Sequence, residues 1–432
     1  MKKSAPASNN SPGEQLVDNP QARREAYPEA LQDLLSIVNA RQARRWLGNW
    51  PELRNGTTPV FALPGMAAHL GIAGIDVKDE SVRSPLGSFK ALGAPYALLQ
   101  VLRRRWPDHD FAPATLLAGG HGDLLGEITV ISATDGNQGR ALAAAAQSVG
   151  CRCVIVLHAH VSPEREAPIA ALGAQIVRVS GNYDDSVREA RRLAQQNGWQ
   201  VVSDTSYAGY EEIPRDVMQG YAVMADELLD ALEPGAPSPW SHVFIQGGVG
   251  AIVAGVSSYF WQHFGTQRPS FLAVEPEQAD CLLQSALLGQ AATASGSVDS
   301  VMAGLACGEA SPLAWRFLQP CMDQFVTVSD ARAVQAMRLL AEPDYGDIPL
   351  LSGESGGAGF AALLYIAQSP ELRLRAGIGP QSRVLLINTE GATAPGIYAA
   401  LVGKAASEVV AAQSAWTARR TGASGATPIQ AD

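Results

Sequence analysis

A chain of 432 residues with 32 Lys and Arg against 42 Asp and Glu has a formal charge of −10, and 47% of it is hydrophobic. That much apolar material argues against a disordered or fibrous chain, and the acidic balance disfavours nucleic acid or an anionic membrane as partner. Five cysteines without paired C-x-x-C spacing disfavour a disulfide framework or a structural zinc site and point to a reducing compartment; no apolar run reaches the ~18 residues that a membrane span needs. In chain order, residues 1–20 are polar, lack the apolar stretch of a signal peptide and are expected to form a flexible arm. Short β-branched runs then alternate with helical patterns. Strands are expected at 128–134 (ITVISAT), 152–157 (RCVIVL), 175–179 (QIVRV) and 200–204 (QVVSD), with helices at 139–149, 163–172 and 184–197 between them. A second series places strands at 242–246, 271–274 and 384–389 and helices at 216–231, 251–264, 331–340 and 358–366. The alternation implies right-handed βαβ units.

The expected fold class is α/β: two open, mostly parallel twisted sheets flanked by helices, sharing one cleft. The expected division is an arm at 1–20, a larger unit from 21–92 and 215–404, a smaller unit at 93–214, and a C-terminal helix end with a loose tail at 405–432. Ligands of such folds sit beyond the carboxyl ends of the strands, so motifs just after strands carry the information.

Four motifs stand out. Lys90, in SPLGSFK, opens a helical pattern. Beside Phe89 and Leu86 it is either a partly desolvated amine with a lowered pKa or a solvated first-turn lysine. Thr134-Asp135-Gly136-Asn137-Gln138-Gly139 follows a strand and opens a helix, which suits either an anion at the helix N-terminus or an ordinary capped turn. Gln246-Gly247-Gly248-Val249-Gly250 is a glycine turn fit for a single phosphate; Val253 occupies the third glycine place of a dinucleotide motif and no Walker lysine follows. Thr389, in NTEG, ends the last strand, where a hydroxyl can meet a ring nitrogen or simply make a turn.

In this order the four motifs resemble the fold-type II, tryptophan-synthase-β-like enzymes that use pyridoxal 5'-phosphate (PLP). Within them, FKALG, Asp135, GNYDDSVREA, VVSDTSYAGYEEIP, SGESGGAG and NTEGAT most resemble the diaminopropionate ammonia-lyase family. The resemblance covers about residues 40–400; Gln138 stands where that family often has His, and Tyr207 where Trp is common. It implies that Lys90 carries the cofactor, with Phe89, Asn137, Gly247, Gly248, Val249, Gly250 and Thr389 around it. Thr134, Gly136, Asn137 and Gln138 would take the substrate carboxylate. Lys90, Asp135 and Asp204 would be catalytic. The implied reaction is PLP-dependent α,β-elimination of 2,3-diaminopropionate to pyruvate and ammonia, with D and L protons removed from opposite faces by Asp135 and Lys90. A small amino acid is the expected partner, and a cytoplasmic homodimer the expected form. A serine or threonine dehydratase, to which a carboxylate at Asp135 is of no use, and a silent PLP-binding protein are the alternatives. No metal site is expected: His158 and His160 have no suitably spaced third ligand. Cys281 and Cys307 read as core thiols, and Glu354 as a cleft or loop residue.

Overall fold

A computed structural model of the chain describes residues 13–134, 136–181 and 183–424. Eleven strands form two sheets. They are β1 Gln15–Asp18, β2 Val60–Ala62, β3 Gly74–Asp79, β4 Thr129–Ala133, β5 Arg152–Leu157, β6 Gln175–Arg178, β7 Gln200–Val201, β8 His242–Gln246, β9 Ser270–Pro276, β10 Gln324–Val328 and β11 Arg383–Asn388. The larger sheet runs β1-β10-β9-β8-β11-β3-β2 and the smaller β6-β5-β4-β7. Only the two edge strands of the larger sheet, β1 and β2, are antiparallel to their neighbours. Parallel strands need crossover helices, and these cover both faces. The innermost are apolar all round: Ala251–Phe264 has an unbroken buried run from Ala251 to Trp261, and Ala358–Ala367 is buried at all but Tyr365 and Ala367.

The expected flexible arm is corrected for part of its length. Gln15–Asp18 is a strand that pairs with β10, because Leu16 is buried against the core and Glu14 accepts from Arg332 Nε at 2.7 Å. β2, β3 and β10 were not foreseen either. The helix expected at 216–231 is two, Glu212–Tyr221 and Val223–Leu229. The expected unit boundaries fall within helices: 92/93 inside Lys90–Arg105 and 214/215 inside Glu212–Tyr221. These two helices are seated on each other through glycines. A Cβ on Gly93 would run into the Tyr221 ring, and one on Gly220 into the Leu92 carbonyl. At the other end of the chain, Ala406–Ser424 is a long helix.

Strand order reverses once in each sheet. From β8 the chain builds outward to β9 and β10, while β11 and β3 lie on its other side; from β4 it builds to β5 and β6, while β7 lies opposite. Such switch points leave a crevice at the strands' carboxyl ends. The segments after β4, β7, β8 and β11 all open on one cleft between the sheets.

Candidate active site

The cleft is lined from both sheets, by Lys90, Asn137, Asp204, Gly248 and Thr389 among others. Lys90 begins its helix there, with Nζ 5.1 Å from the centroid of the Phe89 ring and 5.5 Å from that of Tyr221. It donates to Asp204 Oδ2 at 2.7 Å. Asp204 comes three residues after β7, a strand shorter than expected. Of the two readings of Lys90 left open by the sequence, the one with a lowered pKa is not supported. Burial does pull the ammonium down, but the Asp204 carboxylate and Tyr221 outweigh it, and the net displacement is upward.

The glycine turn after β8 divides in two. Gly247 does not line the cleft: its N–H donates to the Val274 carbonyl at 2.8 Å, and a Cβ there would lie 2.5 Å from Leu282 Cδ1. It is a packing residue, which corrects its expected place beside the cofactor. Gly248, Val249, Gly250 and Ala251 do line the cleft, and none of their N–H groups donates to another described residue. Gly250 has φ +97°, a conformation that side chains disfavour. The turn runs straight into Ala251–Phe264, so free N–H groups and the positive end of a long helix face the same point. That is a cradle for an anion with several oxygens.

The turn after β4 is built differently. Thr134 Oγ1 accepts from the N–H of Gly136 and of Gly139, each at 3.1 Å. Thr134 Oγ1 therefore closes the turn as an acceptor, which takes up the Gly136 N–H expected to meet a carboxylate but does not spend the Thr134 hydroxyl's own proton, and Thr134 lines the cleft. The N–H groups of Asn137 and Gln138, at the start of the helix Asn137–Val149, donate to no other described residue. Gln138 adds a side-chain Nε2 that is buried without a hydrogen-bond partner. A buried donor left unpaired is costly, and a carboxylate in the cleft would satisfy it. Asp135 lies outside the described residues.

Thr389 closes the cleft from β11. Its carbonyl accepts from the Phe89 N–H at 3.0 Å, and its Oγ1 accepts from Gln246 Nε2 at 3.1 Å. Because the amide nitrogen donates to it, the hydroxyl's own proton is left for an acceptor in the cleft. This donor set fits PLP: N–H groups for a phosphate, a lysine for an aldehyde, a hydroxyl proton for a ring nitrogen.

Several cleft residues were not foreseen. Arg140 reaches from the helix Asn137–Val149 to the Leu86 carbonyl at 3.1 Å, tying that helix to the segment before Lys90. Arg165 pairs with Glu354 at 3.3 Å. Glu354 itself is buried behind the wall, and burial together with the charge of Glu390 pushes its carboxyl up to about 7. Glu390 lines the cleft and accepts from Asn137 Nδ2. The signal available was position: both Glu390 and Arg140 lie within a few residues of a strand's carboxyl end. Cys307 is on the cleft wall, while Cys281 is buried and its thiol pushed up by burial, with the Glu275 carboxylate adding to it. His158 and His160 line a neighbouring groove, and among the described residues no three His, Cys, Asp or Glu are grouped to hold a metal.

Residues 52–390 match the family model described as pyridoxal-phosphate dependent enzyme. The diaminopropionate ammonia-lyase of Escherichia coli strain K12 is 39% identical over 340 residues, 78% of this chain and 84% of that protein. The enzyme of that name from Salmonella typhimurium strain LT2 is 36% identical over 378 residues, 85% of this chain and 93% of that protein. The crystal structure of the Escherichia coli enzyme in complex with an aminoacrylate–PLP azomethine reaction intermediate matches with a TM-score of 0.80 at 36% identity, covering 91% of this chain and 97% of that one. With Lys90, the glycine turn after β8 and the Thr389 hydroxyl in one cleft, the chain belongs to the PLP-dependent enzymes and, among them, to the diaminopropionate ammonia-lyase family.

Proposed function

We propose that the chain is a PLP-dependent carbon–nitrogen lyase that converts 2,3-diaminopropionate and water to pyruvate and two molecules of ammonia. The observation that carries this reading is the convergence of Lys90, the unclaimed N–H groups of 248–251 and the Thr389 hydroxyl on one cleft. PLP, when bound, supplies an electron sink for the carbanion formed at Cα. The chain's own residues do the rest. Lys90 carries the cofactor, Gly248, Val249, Gly250 and Ala251 hold its phosphate, and Thr389 donates to its ring nitrogen. Asn137 serves the phenolic oxygen beside the ring. The Asn137 and Gln138 N–H groups and the Gln138 amide receive the substrate carboxylate. Freed Lys90 and Asp135 take the α-proton from opposite faces, which admits the L and D forms. The Cβ–N bond then breaks with its electrons leaving on nitrogen as the first ammonia. Water releases the second from the three-carbon remainder. Asp204, 2.7 Å from Lys90 Nζ, stabilises the ammonium that Lys90 becomes once it has taken the proton.

Borohydride reduction of the PLP-loaded protein followed by peptide mapping should label the peptide containing Lys90; label on another lysine overturns the assignment. Lys90→Ala should lower pyruvate release from D- and L-diaminopropionate by at least the ~10²–10⁴-fold of a lost proton-transfer group. Faster turnover of serine or threonine by the wild type would replace the substrate reading. A cytoplasmic homodimer is part of the same proposal, with light scattering as the test of the dimer; among the described residues no helix is long and apolar enough to cross a membrane.

A further inference from the structure

Glu390 is a carboxylate that this mechanism leaves without work. It follows Thr389 at the end of β11, is 5% exposed and faces the cleft. Oε1 accepts the Ser355 N–H at 3.0 Å, and Oε2 accepts from Nδ2 of Asn137, which stands on the other side of the cleft at the start of the helix after β4. An ionised carboxylate only accepts, so the nitrogen edge of the Asn137 amide must face it. We propose that Glu390 is a positioning residue of the elimination: by fixing the sense of the Asn137 amide it keeps the second Nδ2 proton available to donate to the cofactor's phenolic oxygen.

The alternative, that Glu390 merely fills space and caps Ser355, does not account for its charge. A glutamine would accept the Ser355 N–H equally well. The carboxylate instead crowds Glu354, whose proton it helps to retain even though Arg165 is paired there. Two buried carboxylates beside one arginine are an electrostatic cost. What the charge secures is that a flipped Asn137, oxygen facing oxygen, is forbidden. A glutamine at 390 can turn its own amide and permit both arrangements.

The inference rests on the reading of the cleft as a PLP site, and the test separates the two. Glu390→Gln, Asn137→Ala and the double variant are titrated with PLP, and the visible band of bound cofactor, its dissociation constant, kcat and KM are read. Glu390→Gln should shift the band and lower kcat by about 10-fold, a factor worth ~1.4 kcal/mol, with a smaller change in KM. In the Asn137→Ala background the same change should do nothing further, since the two act as one unit. Additive losses, or an unchanged band and kcat in Glu390→Gln, overturn the proposal; a wild-type protein that takes up no PLP overturns the underlying site instead. Should Glu390→Gln not fold, Asn137→Asp sets two carboxylates in contact and should lose PLP affinity, and adding Glu390→Gln should recover at least about 10-fold of it by restoring one donor and one acceptor. No recovery overturns the proposal as well.

Discussion

The turns after β4 and after β8 are both strand–glycine–helix connections, one in each sheet, and they face each other across the cleft. They solve different problems. The turn after β8 keeps the N–H groups of Gly248, Val249, Gly250 and Ala251 all unclaimed. The turn after β4 spends two of its N–H groups on Thr134 Oγ1, and among the described residues those of Asn137 and Gln138 have no acceptor, with the Gln138 amide beside them. A phosphate offers three terminal oxygens and close to two charges; a carboxylate offers two oxygens and one charge. The number of donors left open in each turn matches the anion proposed for it. Two similar sequence patterns thus differ in the N–H groups they leave to the cleft, because a threonine is present in one to close the turn from within.

The largest effect that sharpens this contrast is expected at Asp135, an acidic position between Thr134 and Gly136 with no acidic counterpart in the sequence after β8. Asp135→Asn should cost turnover of D-diaminopropionate about 10²-fold or more, the scale of a lost general base, and the L form less. Pyruvate release from each enantiomer at saturating PLP measures it; equal losses would give Asp135 a shared electrostatic role.

Next comes Gly248→Val. Its Cβ would lie 2.8 Å from Cys307 Sγ and 3.2 Å from the Gly304 carbonyl, on the cleft wall. Overpacking strain of ~1–3 kcal/mol placed there should weaken PLP binding roughly 10- to 10²-fold. Gly247→Ala strains the Leu282 contact instead, so it should lower the melting temperature with little change in PLP affinity. The reverse pattern would exchange the roles of the two glycines.

Gln138→Ala should raise KM for diaminopropionate about 10-fold with kcat nearly kept, the consequence of one lost hydrogen bond to a charged group. A fall in kcat alone would place Gln138 elsewhere in the reaction. The smallest effect is at Thr134. Thr134→Val keeps the shape and removes the acceptor that closes the turn, and it should cost ~1 kcal/mol of stability in denaturant unfolding, as the loss of a helix cap does. PLP affinity should not move.

Legibility followed burial. β5 and β8 match their sequence assignments residue for residue, because each has an apolar centre, CVIVL and VFI, buried on both faces. β3, GIDVKD, was hidden by its charges. Lys78 is buried in a strand only because Glu227, 149 residues away, accepts from it at 2.6 Å, and Arg83 pairs with the same carboxylate. No local pattern reveals a partner at that distance. β10, QFVTV, carried a β-branched signal sufficient to find it. In the site, every motif after a strand was legible, since glycines and polar turns are local. The pairs that set its electrostatics were not: Lys90 with Asp204 joins segments 114 residues apart, and Asn137 with Glu390 joins segments 253 apart. Without Asp204 in view, Lys90 reads as either a desolvated or a solvated amine, and the ion pair that favours its ammonium goes unseen.

The short strand β1 has a practical bearing that its length conceals. It lies antiparallel along β10, from Gln15 opposite Thr327 to Asp18 opposite Gln324. β10 is buried along its whole length and rich in Val and Thr, and without β1 it would end the larger sheet with a bare row of N–H and C=O groups. Such a border is a template for a strand from another molecule. Trimming the first twenty residues as a dispensable leader would uncover it, and the shortened enzyme should clump on concentration even where each molecule remains folded around its cofactor.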